Sequence, residues 1–155
     1  MPSFDLLFRP SIELINLVRR FVADFYIQVV PDQDTASRLA LTTHELLENA
    51  VKYSTDGEAA LFVQLDPGSG TVSVRTRNRA TDAQIVRVRQ TFAEISAAPD
   101  ATVLYTALLR RSALASGSGG LGLARIWAES DMVLKLVVVD GTVEIQARGN
   151  IATGD

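Results

Sequence analysis

The sequence predicts an α+β fold: a two-layer α/β sandwich in which helices cover one face of a mostly antiparallel, mixed sheet. Three observations lead there. The elements read in the order β-α-α-β-β-α-α-α-β-β, so strands arrive as hairpins and the helices segregate to one face. Val72 and Val74 alternate with Ser73 and Arg75, the period of a half-buried strand. Finally, 155 residues with 47% hydrophobic and 21% charged content suit a single domain, residues 1–155, able to bury a real core.

Taken in order, Phe4 to Phe8 is short and apolar and suits an edge strand ending at Arg9-Pro10. Ser11 reads as the N-cap of a helix to about Val29, whose wide apolar face includes Ile15, Val18, Val22 and Phe25. Pro31-Asp32 separates it from a second helix, about Asp34 to Ser54, closed by Asp56-Gly57. Ala59 to Leu65 and Thr71 to Arg77 flank Asp66-Pro67-Gly68-Ser69-Gly70 as a hairpin. Asn78 to Asp82 reads as a loop into a helix from about Asp82 to Ala97, and Thr102 to Ala115 looks helical. After a glycine run, a helix is expected from Leu121 to Glu129. Val133 to Val139 and Thr142 to Arg148 then pair across Asp140-Gly141, and the tail, Gly149 to Asp155, is expected to fray.

Bulk properties exclude several classes. Zero cysteines rule out disulfides and thiolate metal sites. With one histidine as well, only oxygen ligands remain, which suits Mg²⁺ and not zinc. A net charge of −3 provides no general electrostatic reason for a nucleic-acid partner. No apolar run approaches the ~20 residues of a membrane span, and Met1-Pro2-Ser3-Phe4-Asp5 lacks the start of a signal peptide. The expectation is a cytoplasmic protein with no membrane partner.

Two stretches carry chemistry. In the second helix, Glu45 and Asn49 lie at i and i+4 and so stack one turn apart on the same side. Asn is a poor helix-interior residue. Its place beside an apolar stripe suggests a task, with Asn as oxygen ligand to a hard cation and Glu as base. The same pair also occurs by chance on solvated helices. About seventy residues downstream stands Gly117-Ser118-Gly119-Gly120-Leu121-Gly122. This matches G-x-G-x-x-G literally, but the segment before it reads as a helix, and a dinucleotide fingerprint must follow a strand. What survives is an anion site where small residues and the free N–H groups of a new helix meet phosphate; the bland alternative is a Ser/Gly linker. His44 points about 100° around the helix from Glu45 and reads as a packing or solvent-exposed residue.

Together these stretches resemble the GHKL (Bergerat-fold) ATPases. Glu45 to Ser54, ELLENAVKYS, looks like their N box, and Ser118 to Leu123, SGGLGL, like their second glycine box. The resemblance spans most of the chain and implies ATP and Mg²⁺ as ligands. It implies that Asn49 ligates Mg²⁺ and that Glu45 takes the place of the general base. Lys52 would lie near phosphate, unless it is a solvated i,i+4 partner of Glu48. Gly117, Gly119, Gly120, Leu121 and Gly122 would wrap the triphosphate. The family usually has Asp-x-Gly-x-Gly after the second strand of the first hairpin, with the Asp accepting the adenine amino proton. Here the chain reads Arg77-Asn78-Arg79-Ala80-Thr81, so Asn78 is the expected adenine residue, a neutral acceptor whose NH₂ can also turn toward the base. This Asn-Arg variant resembles the SiaB-type protein kinases of bacterial partner-switching systems, and the short chain resembles the stand-alone anti-sigma-factor kinases.

The resemblance implies a Mg-ATP-dependent Ser/Thr protein kinase or anti-sigma-type regulator. Its partner would be a small regulatory protein, anti-anti-sigma (STAS-like) or sigma factor; related kinases commonly form homodimers, and the sequence leaves both a homodimer and a monomer open. In that mechanism residues 103–118 form a mobile lid. The alternative is a catalytically degenerate GHKL domain that sequesters a partner without phosphoryl transfer, motivated by the altered adenine loop. ATP hydrolysis for its own sake lacks a coupled domain to serve.

Overall fold

The structure is a computed structural model that describes residues 2–9, 12–114 and 121–151. Its elements follow the hydrophobic periods closely: β1 (Ser3–Phe8), α1 (Ile12–Val29), α2 (Gln33–Lys52), β2 (Ala59–Asp66), β3 (Thr71–Arg79), α3 (Asp82–Ala97), α4 (Ala101–Leu114), α5 (Leu121–Glu129), β4 (Val133–Val139) and β5 (Thr142–Asn150). The strands form one sheet in the order β1-β2-β3-β5-β4, with β1 on the edge as expected. All four pairings are antiparallel, so the expected mixed character is corrected. The hairpin turns set two of those pairings. At the tighter one, Asp140 and Gly141 hold φ values of 49° and 76°, the left-handed pair that matches strand twist in a two-residue turn.

Alternation along each strand puts one set of side chains under the helices. Leu61, Val63, Leu65, Val72, Val74, Val143, Ile145 and Ala147 are buried there, against Leu46 and Leu47 of α2 and Leu123 and Ile126 of α5. Each fully buried Leu contributes roughly 2–3 kcal/mol of transfer free energy. Helix α1 packs on α2 and on the first strand, where Phe4 meets Phe21 and Phe25 edge-on at 4.9 and 4.8 Å. Between α1 and α2, Tyr26 Oη and Thr43 Oγ1 share a buried hydrogen bond of 2.7 Å. Burial pushes the Tyr26 phenol above its usual range, so it stays neutral.

Three boundaries differ from expectation. Strand β3 runs on through Asn78 and Arg79, which pair with Val143 and Thr142, so Asn78 belongs to the sheet and not to a loop. Strand β5 runs to Asn150, and buried Ile151 donates its N–H to Gly70 O at 2.7 Å; the start of the expected frayed tail is therefore ordered sheet. Residues 152–155 of that tail lie outside the described residues. Helix α2 begins at Gln33 because Asp32 caps it, accepting from Thr35 N at 2.9 Å.

Candidate functional site

The site is built on α2. Its buried stripe, including Leu39, Thr43, Leu46, Leu47 and Ala50, fixes the helix's rotation about its axis. With that rotation set, Glu45 and Asn49 fall on the flank that faces α5, both half-buried. The start of α5 comes up against them. A Cβ placed on Gly122 would lie 2.8 Å from Glu45 Oε2 and 3.4 Å from Asn49 Nδ2. Only the missing side chain lets the α5 backbone approach the pair this closely. The carboxylate and amide one turn apart on α2 are thus brought to the end of the glycine run, some seventy positions away in sequence. Of that run, Gly117, Gly119 and Gly120 lie outside the described residues, as do residues 115–118 of the expected lid. Leu121 opens α5.

Beside Asn49 opens a cleft of about 530 Å³, part of it open to solvent. Asn78, Val143 and Ile145 of the sheet form its floor. Asn49, Ala50 and Tyr53 of α2, Leu123 of α5, and Gln84, Arg87, Val88 and Thr91 of α3 form its walls. An apolar lining with a few convergent polar groups is the chemistry of a small-molecule site. Asn78 is buried on the sheet floor, and its Nδ2 donates to Arg79 O at 3.2 Å. That bond orients the carbonyl oxygen of the amide as the remaining acceptor. Two of the expected residues, Asn49 and Asn78, therefore share one cavity.

Glu45 faces elsewhere. It lines a neighbouring groove between α2 and α5, with Arg38, Leu41, Thr42, Arg125, Ile126, Glu129 and Ser130. Its two oxygens have different neighbours: Oε2 meets Gly122, while Oε1 lies 3.6 Å from Arg125 Nη1. Arg125 also donates from Nε to Glu129 Oε2 at 3.0 Å. That hydrogen bond is the main reason its guanidinium is held even more firmly protonated than usual. Both oxygens of the carboxylate thus face α5, one toward Gly122 at its start and the other toward Arg125 in the surface groove.

Lys52 is exposed, with Nζ 5.4 Å from the centre of the Tyr53 ring, and it is not among the residues that line the cleft. The acidic partner suggested for it, Glu48, instead pairs with His44, Nε2 to Oε1 at 3.1 Å. His44 is only partly exposed, as a packing residue would be; its Nδ1 is buried without a hydrogen bond. Sequence reasoning did not single out Tyr53, Gln84, Arg87 or Thr91 as lining residues. The last three recur at i, i+3 and i+7 along α3, which places them on one face, but such a polar face reads equally well as solvated. Arg125 carried no local signal, because its partner Glu45 is distant in sequence.

Among the described residues no group of three or more His, Asp or Glu side chains converges as a metal site. An amide and a carboxylate nevertheless fit Mg²⁺, which takes few protein ligands and keeps the rest from phosphate and water. No described helix is long and apolar enough to cross a membrane.

No family model and no curated protein matches the sequence. The fold does match a solved chain. In the crystal structure of the SiaB-SiaC complex from Pseudomonas aeruginosa, a chain 17% identical to this one aligns with a TM-score of 0.71, over 96% of this chain and 89% of that one. At that identity the likeness is one of fold.

Proposed function

We propose that the chain is a Mg-ATP-dependent Ser/Thr protein kinase of a bacterial partner-switching system, acting on a small regulatory protein. One observation carries the reading. Asn49 and Asn78 line one largely apolar cleft, while Glu45 sits one helical turn from Asn49, against Gly122. The fold likeness to a chain of a two-protein complex adds support for a protein partner.

Bound Mg-ATP would supply the phosphoryl group, with Asn49 Oδ1 as the protein's ligand to the metal. Asn78 would accept a hydrogen bond from the adenine amino group, and Tyr53, Val143 and Ile145 would enclose the base. Arg87, on the α3 wall, is a cation available to phosphate. The Gly122 backbone would approach the phosphates from α5. Glu45 would accept the proton of the partner's hydroxyl as that oxygen bonds to phosphorus and the bond to the leaving diphosphate breaks. Its place at the surface groove is where a protein hydroxyl can reach it.

A second reading has its own observation. Glu45 is already paired with Arg125, and Asn78 offers no negative charge to the base. Both features favour a module that binds a partner and transfers nothing.

Titration calorimetry with Mg-ATP, followed by phosphate transfer to co-encoded candidate partners, separates the two. The kinase reading expects binding that Asn49→Ala abolishes, and transfer that Glu45→Gln reduces without weakening binding. Absence of nucleotide binding up to millimolar concentration removes it; binding without transfer to any co-purifying partner leaves the sequestering module.

A further inference from the structure

The helices occupy one side of the sheet. On the other side, three adjacent strands carry a marked excess of cations. The adjacent strands β3, β5 and β4 carry five cations, Arg75, Arg77, Arg79, Arg148 and Lys135, against one carboxylate, Glu144. That is five of the protein's 15 basic residues beside one of its 18 acidic ones, in a chain whose net charge is −3. All six occupy the alternate positions that point away from the buried valines and isoleucine of the same strands, as their register requires.

The centre of this face is a built cluster. The guanidinium carbons of Arg75 and Arg77 lie 4.7 and 5.2 Å from the centre of the Phe62 ring. Both reach Glu144 Oε1, at 3.5 and 3.0 Å, and Gln146 Nε2 donates to the other carboxylate oxygen at 2.6 Å. Glu144 is thereby satisfied and only 12% exposed, while the two arginines stay 40% and 48% exposed. Lys135 and Arg148 form no ion pair among the described residues. Along the outer strand β4, Val133 and Val139 are 72% and 60% exposed.

From this charge pattern we infer that the open sheet face docks an extended, acidic segment of a partner protein. Cations at every second residue of β3 repeat at roughly 6.8 Å, the spacing at which an extended chain presents alternate side chains on one side. A segment with carboxylates at alternate positions would meet this grid, with its intervening or flanking apolar residues over Val133 and Val139. Two features weigh against a nucleic acid: the one aromatic ring at the centre is already covered by guanidinium groups, and a carboxylate sits where a phosphate track would pass. A membrane surface is disfavoured because the apolar residues exposed beside these cations, Val133 and Val139, are short, and Phe62 lies under two guanidinium groups. The inference is independent of the nucleotide cleft, which lies on the opposite side of the sheet.

The test uses fluorescence anisotropy with a labelled dodecapeptide of alternating Glu and Ala. Its comparators are a block peptide of the same composition, a single-stranded oligonucleotide of equal charge, and vesicles containing phosphatidylserine. The expected result is salt-sensitive binding that prefers the alternating peptide and falls at least tenfold in Lys135→Glu/Arg148→Glu. Arg89→Glu/Arg110→Glu, which makes the same charge change on exposed helix positions, should keep most of the affinity. Circular dichroism should show both variants folded. Equal loss in the two variants, no preference for the alternating peptide, no peptide binding up to millimolar concentration, or tighter binding to the oligonucleotide or the vesicles would each overturn the inference.

Discussion

Replacing Gly122 by Ala separates the needs of the fold from those of the site. The new methyl would lie 2.8 Å from Glu45 Oε2, where ordinary contacts begin near 3.4 Å, so the carboxylate must retreat by about 0.6 Å. Asn49 Nδ2, already at 3.4 Å, need not move. The obstructing atom is the end of a flexible, half-buried side chain, so its retreat is cheap. Against it stands the helix propensity of Ala over Gly, worth at most about 1 kcal/mol near the start of α5. The two effects nearly cancel, and thermal denaturation should place Tm within about 3 °C of the parent protein, since 1 kcal/mol corresponds to roughly 2–4 °C at this size. Chemistry responds differently. Misplacement of a reacting group by ~1 Å can cost about a hundredfold, so a shift somewhat over half as large should lower phosphate transfer by roughly tenfold, with calorimetric affinity for Mg-ATP changed much less. A loss of stability beyond about 3 kcal/mol would mean that Gly122 packs against something rigid, and the reasoning would fail. Parent-level transfer in a folded variant would remove Glu45 from the chemistry.

Other perturbations are simpler to state. Tyr26→Phe strands the buried Thr43 hydroxyl and should cost about 1–3 kcal/mol in urea denaturation; adding Thr43→Val should recover part of that loss, and a double variant no more stable than the single one would contradict the pairing. Arg125→Ala frees the groove-facing oxygen of Glu45, and if that pairing restrains the base, transfer should rise or its pH profile should move; an unchanged profile would assign Arg125 to the surface pair with Glu129 alone. The carboxyls of Asp32, Asp56 and Asp66 are each held below the usual range by hydrogen bonds, chiefly from the Thr35 hydroxyl, the Glu58 N–H and Ser69 respectively. A lowered folded-state pKa contributes stability that is full above the unfolded value of ~3.9 and is lost as pH falls through the lowered values. Denaturation midpoints should therefore hold between pH 7 and 5 and drop below about pH 4; a decline that begins near neutrality would point to other groups.

Much of this fold was legible because alternation and turn chemistry agree. Asp140-Gly141 names its turn, and Val72, Val74, Val143 and Ile145 name the buried side of their strands. Asn78 reads as loop from local propensity because Asn is a turn former, although it lies in β3. Yet the alternation of Thr76, Asn78 and their exposed neighbours Arg77 and Arg79 simply continues, and pairing with β5 decides the matter. Gly149 and Asn150 follow the same rule: local propensity is weak there, and their strand partners, Val72 and Thr71, are distant in sequence. In the site, the one-turn spacing of Glu45 and Asn49 could be read from sequence, but the division of labour between them could not. Which oxygen of Glu45 meets Gly122 and which meets Arg125 depends on how α5 lies across α2, and no spacing rule encodes that.

Strand order has a consequence for how the molecule comes into being. The cleft floor joins Asn78 to Val143 and Ile145, and β5, the last of the five strands in chain order, is inserted between β3 and the earlier-made β4. Until it arrives, β3 presents a bare edge and the cavity lacks the Val143 and Ile145 part of its floor. Until β5 is made, nascent chains would thus lack the finished cavity and be open to mispairing along β3.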